Sequence, residues 1–128
     1  MSRLSFLVFL LFVGISCSNV SDKKLENRIN LEIKKTNSLD LSNYKDFQWD
    51  SVILLSPYTY IQRVEKENDL DLSGVSKDIE FSDSINLLVF LKDRKMVKYV
   101  EINRVLGDFV AEYEVIIPKN DTLIWKLK

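Results

Sequence analysis

The chain has 128 residues, with 18 Lys plus Arg against 19 Asp plus Glu, one cysteine and no histidine. That length holds one domain, and the near-neutral charge argues against a nucleic-acid partner and against a broad electrostatic membrane-binding face. Without histidine there is no Ser-His-Asp or Cys-His nucleophile and no histidine-ligated zinc, and one cysteine cannot close an internal disulfide.

Met1-Ser2-Arg3 opens the chain with a positive charge, residues 4–13 are apolar apart from Ser5, and Gly14-Ile15-Ser16 leads into Cys17. This layout predicts an export signal over residues 1–16. The apolar run falls well short of the roughly 20 residues that span a bilayer. Gly14-Ile15-Ser16-Cys17 resembles the small-residue pattern ahead of a lipoprotein cysteine, departing at Gly14, where an aliphatic residue is usual. The expectation is that Cys17 becomes an acylated N-terminus, residues 17–21 a tether, and 22–128 a single domain. Ordinary secretion and an uncleaved anchor are the alternatives. Each buried acyl CH₂ contributes about 0.8 kcal/mol, so several chains hold a protein on a membrane where one is marginal.

Leu25, Ile29 and Ile33 recur at four-residue spacing and predict a helix. Ser21 or Asp22 can cap its start, and Lys34 and Lys35 suit its C-terminal end. Leu39 and Leu41 alternate with polar residues, as in a short edge strand. Residues 52–55, Val-Ile-Leu-Leu, read as a buried strand stopped by Pro57. Thr59-Tyr60-Ile61-Gln62 has the spacing of a capping box, which predicts a second helix to about Glu67 with Tyr60, Ile61 and Val64 turned inward.

Residues 69–81 read as a loop in which Leu70 and Leu72 plug the core. Residues 85–91 are nearly all apolar, the pattern of a central strand covered on both faces. Asp93-Arg94-Lys95 turns the chain into a partner strand over 96–102. Phe109, Ala111, Tyr113, Val115 and Ile117 then alternate with Val110, Glu112, Glu114 and Ile116, predicting one half-buried strand. After a turn at residues 118–121, Leu123, Trp125 and Leu127 point one way in a last strand. The sum is an α+β fold: an antiparallel sheet of four or five strands, with two helices on one face.

The segments F-x-W-D-x-V from Phe47, P-Y-T from Pro57, I-N-L-L-V-F-x-K-D from Ile85, V-x-Y-V-E-I-x-R from Val97 and G-D-F from Gly107 cover roughly the middle half of the chain. Together this pattern resembles a group of small bacterial exported lipoproteins. Asn103 stands before Arg104 where that group has proline, which loosens the loop. The resemblance implies export, a lipid anchor and this fold, and brings no catalytic residue with it.

Three chemistries are open to the domain. Asp69, Asp71, Ser73, Gly74 and Glu80 have the spacing of a calcium-binding EF-hand loop. The flanking chain argues against it. Lys77 falls at the water-ligand position, and a strand follows where the exiting helix should be, so no cofactor is expected. Asp50, Asp108, Glu112 and Glu114 are the candidates for paired carboxylate chemistry, with no cleft in view. A binding patch of Trp49, Tyr58, Arg104 and Asp108 is the preferred reading, because these types dominate interfaces and sit at turns or strand ends. Trp49 and Tyr58 as aromatics at the rim of the core, and Arg104 simply locking onto Asp108, are the structural alternatives.

The functional expectation is a non-enzymatic cell-envelope lipoprotein. It is held to the outer membrane or another periplasmic face by its lipid and contacts a second envelope protein. An inhibitor or immunity protein that blocks a hydrolase is the alternative.

Overall fold

A computed structural model describes residues 22–105 and 107–128. The predicted export signal and Cys17 lie outside them.

Helix α1, Lys23–Thr36, begins at Asp22, whose carboxylate accepts the Leu25 N–H at 3.1 Å. Glu26 sits in its first turn and Lys34 and Lys35 in its last, each matching the sign of the helix dipole. Asn37 ends it in the left-handed region, where an asparagine is tolerated, and returns its N–H to the Ile33 carbonyl. The buried stripe is Leu25, Ile29 and Ile33, as the spacing predicts.

Strand β1 (Ser38–Asp40) runs into a single 3₁₀ turn at Leu41–Asn43, and β2 is Ser51–Leu55. Helix α2 (Ile61–Asn68) precedes a second 3₁₀ turn, Lys77–Glu80. The remaining strands are β3 (Ile85–Lys92), β4 (Lys95–Asn103), β5 (Gly107–Val110), β6 (Ile116–Pro118) and β7 (Thr122–Leu127). They form two antiparallel sheets, a main sheet in the order β4-β3-β2-β6 and a small one in the order β1-β7-β5. Among the described residues the fold is α+β, with two helices and a four-stranded main sheet.

The main sheet is the middle layer. Leu88 and Phe90 of β3, with Val52, Leu54, Val100 and Ile102 beside them, pack under α1 and the small sheet, meeting Leu39, Phe109, Leu123 and Trp125. Leu87, Val89 and Leu91 point the other way with Ile53, Leu55 and Tyr99, and meet Ile61 and Val64 of α2. An apolar strand buried on both faces has to be covered twice, and each fully buried Leu, Ile or Phe contributes roughly 1.5–3 kcal/mol. The two helices therefore lie on opposite faces of the sheet and do not share one. Because α2 is short, the chain after it completes its layer: Leu70, Leu72, Val75 and Ile79 are all buried there.

Three local expectations are corrected. The alternation over 109–117 spans two strands in different sheets, because the chain turns between β5 and β6, with Glu114 at φ 63°. Thr59 does not open a capping box: its buried hydroxyl donates to the Ser56 carbonyl at 2.6 Å, and the N-cap position is Tyr60, with no side-chain bond of its own. Tyr60 turns outward, with its hydroxyl donating to Gln62.

Candidate functional site

The four residues of the sequence-predicted patch part company. Trp49 is 2 % exposed and belongs to the core. Its ring meets Phe90 edge-on at 5.0 Å between centroids, and its indole N–H donates to the Tyr44 carbonyl at 2.6 Å. That contact satisfies the polar end of an otherwise apolar residue.

Arg104 and Asp108 form a knot that closes the β4–β5 connection. Arg104 donates twice to Asp108 Oδ2, at 2.8 and 3.1 Å, and once to the Asp83 carbonyl at 3.0 Å. Asp108 Oδ1 accepts from Asn86 at 2.7 Å, from the Phe109 N–H at 2.9 Å, and from the Tyr113 hydroxyl. Burial by itself would raise the Asp108 pKa. The bonds from Tyr113, Arg104, Asn86 and the Phe109 N–H outweigh it and hold the carboxyl below its ordinary value. Tyr113 is pushed strongly upward, first by burial and then by its bond to Asp108. Asn86 is fully buried on β3 and donates to both partners, while its Oδ1 has no partner among the described residues. With both carboxylate oxygens engaged, this is a lock for a loop and offers no free acid or base.

The EF-hand spacing does not produce a ligand cage. Asp71 Oδ1 accepts from the Ser73 N–H and hydroxyl, as in an ordinary Asx turn. Asp69 ends α2 in the left-handed region at φ 54°. Glu80, the would-be bidentate ligand, accepts the Ile61 N–H at 3.0 Å. Among the described residues no group of three or more Asp, Glu, Cys or His could hold a metal ion. Nor do the candidate catalytic carboxylates converge. Asp50 accepts the Asp93 N–H across the β3–β4 turn, Glu112 is exposed, and Glu114 pairs with Arg63.

Tyr58 is the one member of the patch that is mostly exposed, and it has different companions. Its backbone is left-handed, φ 63°, while its side chain is 62 % exposed. Left-handed backbone costs a residue with a Cβ roughly 1–2 kcal/mol, and here no buried ring offsets it. The Tyr58 N–H donates to the Ile79 carbonyl at 2.8 Å, and the next contact along is Glu80 on Ile61. Those two bonds fasten residues 58–61 to the 3₁₀ turn at 77–80. They tie the segment that carries Tyr58 and the 52 %-exposed Tyr60 to the segment that runs into Phe81, which is 80 % exposed. Three large side chains thus leave one edge of the α2 layer. Phe81, an apolar residue between Glu80 and Ser82, was the sequence signal for this edge. The bond that joins its segment to Tyr58, from the Tyr58 N–H to the Ile79 carbonyl, is non-local and left no motif.

No protein-family model, curated protein or solved structure matches the chain.

Proposed function

We propose that this chain is a lipid-tethered protein of the bacterial cell envelope whose domain binds a second envelope protein through the Tyr58–Tyr60–Phe81 edge, without catalysis. The observation that carries the reading is Tyr58, an exposed aromatic kept in a left-handed backbone conformation. Strain of this kind persists where the surroundings enforce it and concentrates at binding and switch sites. Aromatic side chains are also the types that anchor interfaces. The tether half of the reading rests on the export layout of residues 1–16 and on Cys17, the sole cysteine.

An inhibitor of a hydrolase is the second reading. Asp69, Asp71, Asp78 and Asp83 lie exposed on the same stretch as Phe81, and Lys77 is its one basic residue. That arrangement suits a partner with a basic rim.

Photo-crosslinking from position 81 in intact membranes tests the interface. A partner captured by the wild type and lost from a Tyr58→Asn/Phe81→Ser double variant supports it, whereas undiminished capture by that variant removes the edge from consideration. Replacing Cys17 with Ser tests the tether. Unchanged mass and unchanged membrane retention would refute acylation.

A further inference from the structure

On the opposite side of the main sheet, a cavity of about 530 Å³ opens between the C-terminal end of α1, the β4–β5 connection and β7. Ile33, Val105, Trp125 and Leu127 form its apolar wall, and Lys34 and Asn37 stand at its rim. Two further asparagines complete the lining, and no carboxylate side chain takes part. Clefts of this size, mostly apolar with a few polar groups, are the usual form of a small-molecule site.

The Trp125 indole points to what it takes. Trp125 is only 6 % exposed, yet its N–H has no hydrogen-bond partner among the described residues, unlike that of Trp49. Asn86 Oδ1 is the only fully buried side-chain polar atom without a partner among the described residues, so the Trp125 N–H is open to solvent and is a donor that an acceptor in the cavity can take. The indole nitrogen packs closely against Gly107 of β5. Gly107 is not in the left-handed region, but a Cβ there would stand 2.4 Å from the indole nitrogen. Lys34 makes no ion pair among the described residues, so the rim charge is unopposed.

We infer that this cavity binds a single-chain amphiphile whose head is a carboxylate, as in a fatty acid. The chain lies along Ile33, Val105 and Leu127, and the head accepts from the donors of the rim. Each CH₂ removed from water contributes about 0.8 kcal/mol. The lysine selects an anion over a cation. The inference is independent of the aromatic edge, which belongs to the α2 layer.

The two tryptophans make the test internal. The full chain, labelled with ¹⁵N-tryptophan and held in phosphatidylcholine nanodiscs, gives two indole N–H resonances, and Trp49 is the control. Titration with decanoate should move the Trp125 resonance saturably and leave that of Trp49 in place. Lys34→Glu, an exposed change, should weaken the effect at least tenfold, and Leu127→Gln should weaken it as well. The inference is overturned if the Trp125 resonance stays fixed, or if decyltrimethylammonium moves it as readily as decanoate. An unaltered affinity in Lys34→Glu would also overturn it.

Discussion

The Glu80 carboxylate accepts the backbone N–H of Ile61 at 3.0 Å, so a residue nineteen positions downstream caps helix α2. The helix has no cap of its own at Tyr60, and its first N–H groups lack intrahelical partners. Glu80→Ala should therefore lower stability by about 0.5–2 kcal/mol, the range for losing an N-cap, and Glu80→Gln by less, since an acceptor oxygen remains. Urea midpoints at fixed m-value measure both. The same engagement takes Glu80 away from a calcium loop, so millimolar calcium should leave the wild-type midpoint unmoved. A calcium-dependent rise would restore the loop as a metal site.

How far the chain could be read depended on whether each signal was local. Leu25, Ile29 and Ile33 lie on one helix and their spacing alone placed the stripe. The unbroken apolar run of β3 announced burial on both faces, and that fact already required a cover on each side. Placing both helices on one face overlooked this requirement. The alternation from Phe109 to Ile117 misled because its period of two continues through a turn that contains neither glycine nor proline. Glu114 takes the positive φ instead. At the site, Arg104 and Asp108 do meet, as their spacing allowed, but in a lock. The aromatic edge depends on residues 58 and 79 being bonded across the fold, and nothing in either segment alone encodes that.

The Asp108–Tyr113 contact should appear in the pH dependence of stability. Tyr113→Phe leaves Asp108 short of a donor and Asn86 short of an acceptor, at a cost of about 1–3 kcal/mol near neutrality. Tyr113 has its folded pKa raised above the ordinary 10.0, so its contribution is complete below that value. It is lost as pH rises from there through the folded pKa. The gap between wild type and Tyr113→Phe should accordingly narrow above pH 10.0. Tyr44 and Tyr99 are raised too, so some alkaline slope persists in the variant. Asp108 behaves in the opposite sense. Its folded pKa lies below the ordinary 3.8, and its contribution is present above that value and lost as pH falls through the folded one. Asp108→Asn should flatten part of the acid limb. A gap in Tyr113→Phe that is constant to high pH would show that the hydroxyl bond is not what the phenol contributes.

Tyr58 should be a residue whose removal helps the fold and harms binding. Asparagine adopts the left-handed region more readily than tyrosine. With the ring mostly in solvent, little apolar burial is lost. Tyr58→Asn is expected to raise unfolding free energy by about 0.5–1 kcal/mol while weakening capture of the partner. Equilibrium unfolding in urea decides it. A clear loss of stability would mean that the ring supports the fold, and the case for an enforced, outward-facing aromatic would fail.

Gly107 offers the most local test of how the small sheet closes on its core. It pairs with Leu127 across β5 and β7, and a Cβ at this position would lie 2.4 Å from the Lys126 carbonyl oxygen and 2.4 Å from the Trp125 indole nitrogen. Both contacts are well inside van der Waals distance, and one partner is backbone, so the strand pair or the indole has to move. Overpacking of this kind costs about 1–3 kcal/mol, and Gly107→Ala should lose that much. A double-mutant cycle with Trp125→Phe separates the two contacts, because phenylalanine withdraws the indole nitrogen and leaves the carbonyl in place. If the indole is the obstacle, the alanine costs less in the Trp125→Phe background, with a coupling above about 0.5 kcal/mol. Additive effects would assign the clash to the backbone of β7, making the close approach of the two strands the reason that only glycine fits.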